Sequence, residues 1–177
     1  IKNNYGNDAY LLAACNGLIS VMKYLEKKGF NIYIKNNNGN DAYLLAARNE
    51  QISVMKYLEE EGFDIYIKNN NGNDAYILAA CNGLISVMKS LEEKGFDIHI
   101  KNNKGYDAYL SAAYYGQISV MKYLEKKGFN IYIKNNNGVD AYLLMACNGQ
   151  ISIMKYLEEK GFNIYIKNNK GNDAYLS

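Results

Sequence analysis

Histidine and cysteine, on which most metal sites and nucleophilic triads are built, are scarce here: one histidine, His99, and three cysteines, Cys15, Cys81 and Cys147. A zinc site needs several His or Cys ligands in close register, and a triad needs its histidine beside a nucleophile, so either would have to grow around His99 alone. Three cysteines are an odd number and argue against a disulfide framework. They lie 66 residues apart. If repeated units stack at the ~10 Å of packed helices, neighbouring cysteines are ~20 Å apart, beyond the ~7 Å reach of a disulfide. Free thiols are expected.

Charge of one sign is also lacking. Twenty basic and 18 acidic residues leave a net charge of +2, which gives no sequence-wide attraction to nucleic acid, because phosphate binding relies on clustered Lys and Arg. No apolar run approaches the ~20 residues that span a bilayer, and the first residues lack a signal-peptide pattern. A soluble, cytoplasmic protein with neither membrane nor nucleic acid as partner is expected. The stretch "NNNGND" lacks the opening Asp of an acidic calcium loop and the Glu that closes an EF-hand, and no G-x-x-x-x-G-K phosphate loop occurs. The reading is no metal, no cofactor and no catalysis.

What is present is repetition. Gly6, Gly39, Gly72, Gly105, Gly138 and Gly171 recur every 33 residues, each followed two residues later by an aspartate, from Asp8 to Asp173. A period of 20 to 50 residues marks a solenoid or array rather than a single-core domain. With 49% apolar residues, order is expected rather than disorder.

Local signals within one unit agree. "NNNG" carries no apolar side chain, and Asn and Gly tolerate positive φ, so it reads as a tight turn, a hairpin tip. Asp41 then offers a carboxylate to the free amides of a first helical turn. A short helix over 42–49 follows, with Ala46 and Ala47 small enough for a neighbouring helix to approach closely. After "NG", as at Asn16-Gly17, a second apolar segment (Ile19, Val21, Met22, Tyr24, Leu25) has the spacing of a helix buried on a wide stripe. Gly29 ends it as a left-handed C′ residue. "FNIYIK", Phe30 to Lys35, reads as an extended return to the next turn. No unit can bury its apolar faces alone, so stacking supplies the core.

"GNDAYLLAACNGLISVMKYLEKKGFNIYIK", Gly6 to Lys35, resembles the ankyrin repeat, with its Gly-containing tip, T-P-L-H-x-A-A helix start and second apolar helix. The resemblance covers the whole chain: a partial unit over 1–2, full units over 3–35, 36–68, 69–101, 102–134 and 135–167, and a partial unit over 168–177. It implies an all-α solenoid of helix-turn-helix units. Asp8, Ala9, Tyr10 and Leu11 occupy the Thr, Pro, Leu and His positions, so Asp keeps the cap while proline's preset φ is lost. Phe30 and Tyr33, with their equivalents, imply a more aromatic boundary between units; His99 stands where other units have Tyr and reads as an aromatic replacement. Glu26 and its equivalents take a place that is commonly apolar, with no partner deducible. The Glu and Lys runs that end the longer helices, Glu59 to Glu61 among them, read as a solvated face.

The resemblance further implies a concave surface, lined by turn tips and first-helix ends, where a protein partner binds. Most units are plain there. The fourth carries Lys104, Tyr106, Tyr114 and Tyr115, the fifth Val139 and the second Arg48, and Tyr and Arg are enriched among interface hot spots. These six are the expected partner-binding residues, with the three tyrosines as anchor. The expected function is a non-catalytic, monomeric protein-binding scaffold. Two alternatives stand beside it: end-to-end self-association through ends that lack a polar cap, and a targeting arm of a larger enzyme.

Overall fold

The computed structural model describes residues 2–174, and among them ten α-helices and no strand. They come in pairs: α1 (Ala9–Cys15) with α2 (Ile19–Lys27), α3 (Ala42–Arg48) with α4 (Ile52–Glu60), α5 (Ala75–Cys81) with α6 (Ile85–Glu92), α7 (Ala108–Tyr114) with α8 (Ile118–Lys126), and α9 (Ala141–Cys147) with α10 (Ile151–Glu159). The chain forms two compact bodies, Ile1–Ala79 with Ser86–Asp97, and Ala80–Ile85 with Ile98–Ser177.

Each short helix begins on its aspartate. The Asp41 side chain accepts from the Leu44 amide at 2.9 Å, and Asp8, Asp74, Asp107 and Asp140 do the same three residues on. Such a cap stabilises a helix by about 1 kcal/mol, a large share for one of only seven residues. The longer helices α2, α4, α8 and α10 have no side-chain cap at their N-termini; α2 shows how the other end is specified. Lys28 caps α2, Gly29 takes φ 79°, and the Phe30 amide donates back to the Leu25 carbonyl at 3.1 Å, closing the Schellman turn that a left-handed glycine permits.

Packing follows from the small residues. Ala42 to Ala47 of α3 are all buried, and α1 packs on α3 as α7 packs on α9, short helix on short helix. The longer helices bury a narrower stripe than their sequence suggests. In α4, Val54, Met55, Tyr57 and Leu58 are buried; in α2 only Met22 and Leu25 are, while Val21 and Tyr24 stay exposed.

The turn tips are built by asparagine rather than by strand pairing. Asn36 donates its amide to the Asn40 carbonyl at 2.9 Å, and its own side-chain oxygen accepts from the amides of Asn38 and Asn40 at 3.0 Å, replacing the return bond of a hairpin. Successive tips are then tied together: the Asn37 amide donates to Tyr5 O at 3.1 Å and its side chain to Asn4 O at 3.2 Å, and Asn70 repeats this one unit on. Gly39 sits inside this ladder at φ 77°, where a Cβ would lie 2.8 Å from the Asn70 backbone nitrogen. The return segment is not simply extended. Asn31 Oδ1 accepts from the Tyr33 amide at 3.0 Å and folds a turn into it, as Asp64 does for Tyr66, because short polar side chains offer the backbone an alternative to extension.

Candidate functional site

Tyr106, Tyr114 and Tyr115 meet in the second body. Tyr106 leaves the turn tip, Tyr114 is the last residue of α7 and Tyr115 its C-cap. The Tyr106 and Tyr114 rings stand edge to face with centroids 6.1 Å apart, and Tyr114 and Tyr115 do so at 5.0 Å, a geometry aromatic quadrupoles favour. Tyr114 is 44% and Tyr115 58% exposed. Tyr106 is half-buried, and burial raises its hydroxyl above the usual phenol range while a hydrogen bond with the Asn135 side chain draws it back.

Two further sequence-expected residues adjoin the trio. Lys104 is in the same tip as Tyr106, exposed, with its carbonyl accepting from the Asn136 amide at 3.1 Å. Val139 is the residue equivalent to Tyr106 in the next tip, half-buried, its amide donating to Asn135 Oδ1 at 3.0 Å. Asn135 thus touches both. Arg48 is exposed at the end of α3 and belongs to the first body. Exposure alone does not single out the trio, since Tyr33, Tyr66, Tyr132 and Tyr165 are more than half exposed as well. Those four occupy one repeating position, however: Tyr33 stacks on Phe63 at 5.0 Å, Tyr66 on Phe96 at 5.2 Å, and Tyr132 lies tilted against Phe162 at 4.8 Å. His99 lies against Phe129 at 4.6 Å, an aromatic replacement as its position implied. The trio has no counterpart in the other units.

The partner of Glu26, invisible in the sequence, is a pair of tyrosines. Glu26 accepts from Tyr10 of its own unit at 2.8 Å and from Tyr57 of the next at 2.5 Å. Glu125 repeats the arrangement with Tyr109 at 3.3 Å, Tyr156 at 2.7 Å and, in addition, the Lys160 ammonium at 3.0 Å. Where Ser90 stands in place of Tyr57, Lys94 grips Glu59 instead, beside the Tyr43 hydroxyl at 2.9 Å. This corrects the reading of Glu59 as part of a solvated run: Glu60 and Glu61 are exposed, but Glu59 ties two units together. Burial, before the neighbouring carboxylate, holds the Tyr10, Tyr43 and Tyr109 hydroxyls well above the phenol range and pushes Tyr156 up to about 12. The recurrence of Tyr and Glu sixteen residues apart in every unit was the available signal.

Among the described residues the cysteines are free thiols, no group of three or more His, Cys, Asp or Glu is placed to hold a metal ion, and no helix is long and apolar enough to cross a membrane. A family model described as ankyrin repeats (3 copies) matches residues 10–102 and 77–168. No curated protein matches the chain. One chain of the solved complex of the predatory endopeptidase Bd0816 from Bdellovibrio bacteriovorus with the immunity protein Bd3460 has a similar fold, with a TM-score of 0.69 at 24% identity, over 96% of this chain and 89% of that one.

Proposed function

Because the chain belongs to the ankyrin repeat family, we propose that it is a non-catalytic, cytoplasmic scaffold that grips a protein partner through the side bearing its turn tips and short-helix ends. The observation that carries this reading is the cluster of Tyr106, Tyr114 and Tyr115, three rings in mutual contact that occur in one unit only and leave two of their number exposed. Tyrosines of this kind bring large contact area with a polar tip and few rotatable bonds, the profile of an interface anchor. Lys104 and Val139 flank the cluster, and Arg48, on the other body, is a separate candidate contact. The similar solved chain comes from a complex of two proteins, which supports a protein as the ligand class.

The test is capture from the native cell with the intact array, followed by titration of the captured protein against Tyr114→Ala/Tyr115→Ala. Loss of two anchor rings is expected to weaken binding by about 100-fold, with the melting temperature little changed because both rings are exposed. Equal affinity for wild type and variant would overturn the anchor.

A further inference from the structure

Three lysines and one tyrosine line a single cleft formed by residues of α8 and α10. Lys122 and Lys126 are one helical turn apart on α8, so they leave the same face. Lys160 is the C-cap of α10. Together with Glu125 and Tyr156 they line an open cleft of about 410 Å³. The Lys122 and Lys160 ammonium groups lie 5.0 Å and 5.4 Å from the centre of the Tyr156 ring. Glu125, the one acid of this lining, is already engaged by Tyr109, Tyr156 and Lys160. Lys122 and Lys126 have no carboxylate partner among the described residues. Three ammonium groups against one carboxylate leave the cleft positive.

The array contains its own control. Three units earlier the same five positions are Lys23, Glu26, Lys27, Tyr57 and Glu61. The geometry recurs there, with Lys23 5.0 Å from the Tyr57 ring centre, but Glu61 reverses the charge that Lys160 supplies. Of the remaining units, one has Ser90 for the tyrosine and another Glu93 for Lys126. The three-lysine form therefore occurs once.

We propose that this cleft docks an acidic peptide segment of a protein partner, with Asp and Glu side chains meeting Lys122, Lys126 and Lys160 and the peptide's carbon skeleton lying over the Tyr156 ring. A compact phosphate suits the site less. Phosphate sites draw on amides at a helix N-terminus, whereas Lys126 and Lys160 sit at the C-terminal ends of α8 and α10, where the free carbonyls are partially negative. Lysines are separate point charges rather than the planar fork that clasps one oxyanion. Several carboxylates spread along a chain match three dispersed ammonium groups in a cleft of this size. The surface lies on the longer helices and is independent of the tyrosine trio.

Fluorescein-labelled hexaglutamate, titrated into the full chain by anisotropy, tests this. Binding is expected to weaken about 10-fold or more in Lys122→Gln/Lys126→Gln and in Lys160→Gln, and to fade as salt rises from about 50 to 300 mM. Lys23→Gln/Lys27→Gln, which removes equal charge from the control position, is expected to leave it unchanged, and Glu61→Lys to add a second binding site. All are exposed substitutions, and retention of the helical circular dichroism spectrum checks the fold. Equal weakening by the Lys23/Lys27 variant would reduce the effect to general surface charge and overturn the proposal. So would absence of peptide binding, or binding of inorganic phosphate or single-stranded RNA in its place.

Discussion

Two residues, one a departure from its repeat and one a member of it, set measurable energies. Glu50 adopts φ 60° at a position that is glycine in the other units, and its carboxylate accepts from the Ser86 hydroxyl at 2.5 Å. The left-handed conformation costs a side chain about 1–2 kcal/mol, and an exposed hydrogen bond returns only part of it. Glu50→Gly is therefore expected to stabilise the protein by about 0.5–1 kcal/mol, read as a higher melting temperature; a lower one would mean the Ser86 contact outweighs the strain. Asp74 is fully buried with Oδ2 unpartnered, and burial raises its carboxyl above the usual range. A raised folded-state value gives stability that is full below the unfolded carboxyl range and lost as pH rises through the folded one. Asp74→Asn keeps an acceptor for the Ile77 amide without the charge, so its stability relative to wild type should climb between about pH 4 and pH 7. A flat difference in denaturant midpoints across that interval would contradict this.

At the scale of the element, the buried phenol and carboxylate contacts between helices decide alkaline behaviour. Tyr10, Tyr43 and Tyr109 are held above the ordinary phenol value by burial first and by Glu26, Glu59 and Glu125 in addition. Their contribution is complete below about pH 10 and is lost above it, as the unfolded chain ionises and the folded one resists. Thermal unfolding is expected to fall steeply past about pH 10. At neutral pH, Tyr57→Phe removes one of the two phenols on Glu26 and should cost about 1.5–3 kcal/mol, the range for a hydrogen bond to a charged group. An unchanged denaturation midpoint would place the bond's energy elsewhere. The short helices were legible from sequence because their signals are local: Asp at the cap, alanine at the seam. The Tyr–Glu–Tyr links were not, since each joins residues 16 and 31 positions apart in the chain.

For the molecule as a whole, charge is divided between kinds of element. Apart from the capping aspartates, the tips and short helices carry few acids and bases, Lys104, Lys170 and Arg48 among them, while lysines and glutamates collect on the longer helices. The two proposed surfaces should therefore answer differently to ionic strength. A partner seated on Tyr114 and Tyr115 is expected to bind almost equally at about 50 and 300 mM salt, while binding at the lysine cleft declines over the same range. A partner lost from the tyrosine face at high salt would contradict this division.

The repeat period, the aspartate caps, the stop glycines and the family were settled by the amino-acid order alone, because each rests on interactions within a few residues or on recurrence that needs no coordinates. The candidate tyrosines were legible too, as departures from a repeating background. What only the tertiary structure decided is which side chains meet between units: that Glu26 is shared by two tyrosines, that Asn36 side chains replace hairpin pairing, that Lys94 substitutes for a missing phenol, and that Lys122, Lys126 and Lys160 line one cleft. Such contacts depend on the register at which one unit is laid on the next. That register is a matter of packing between units, which a linear pattern does not specify.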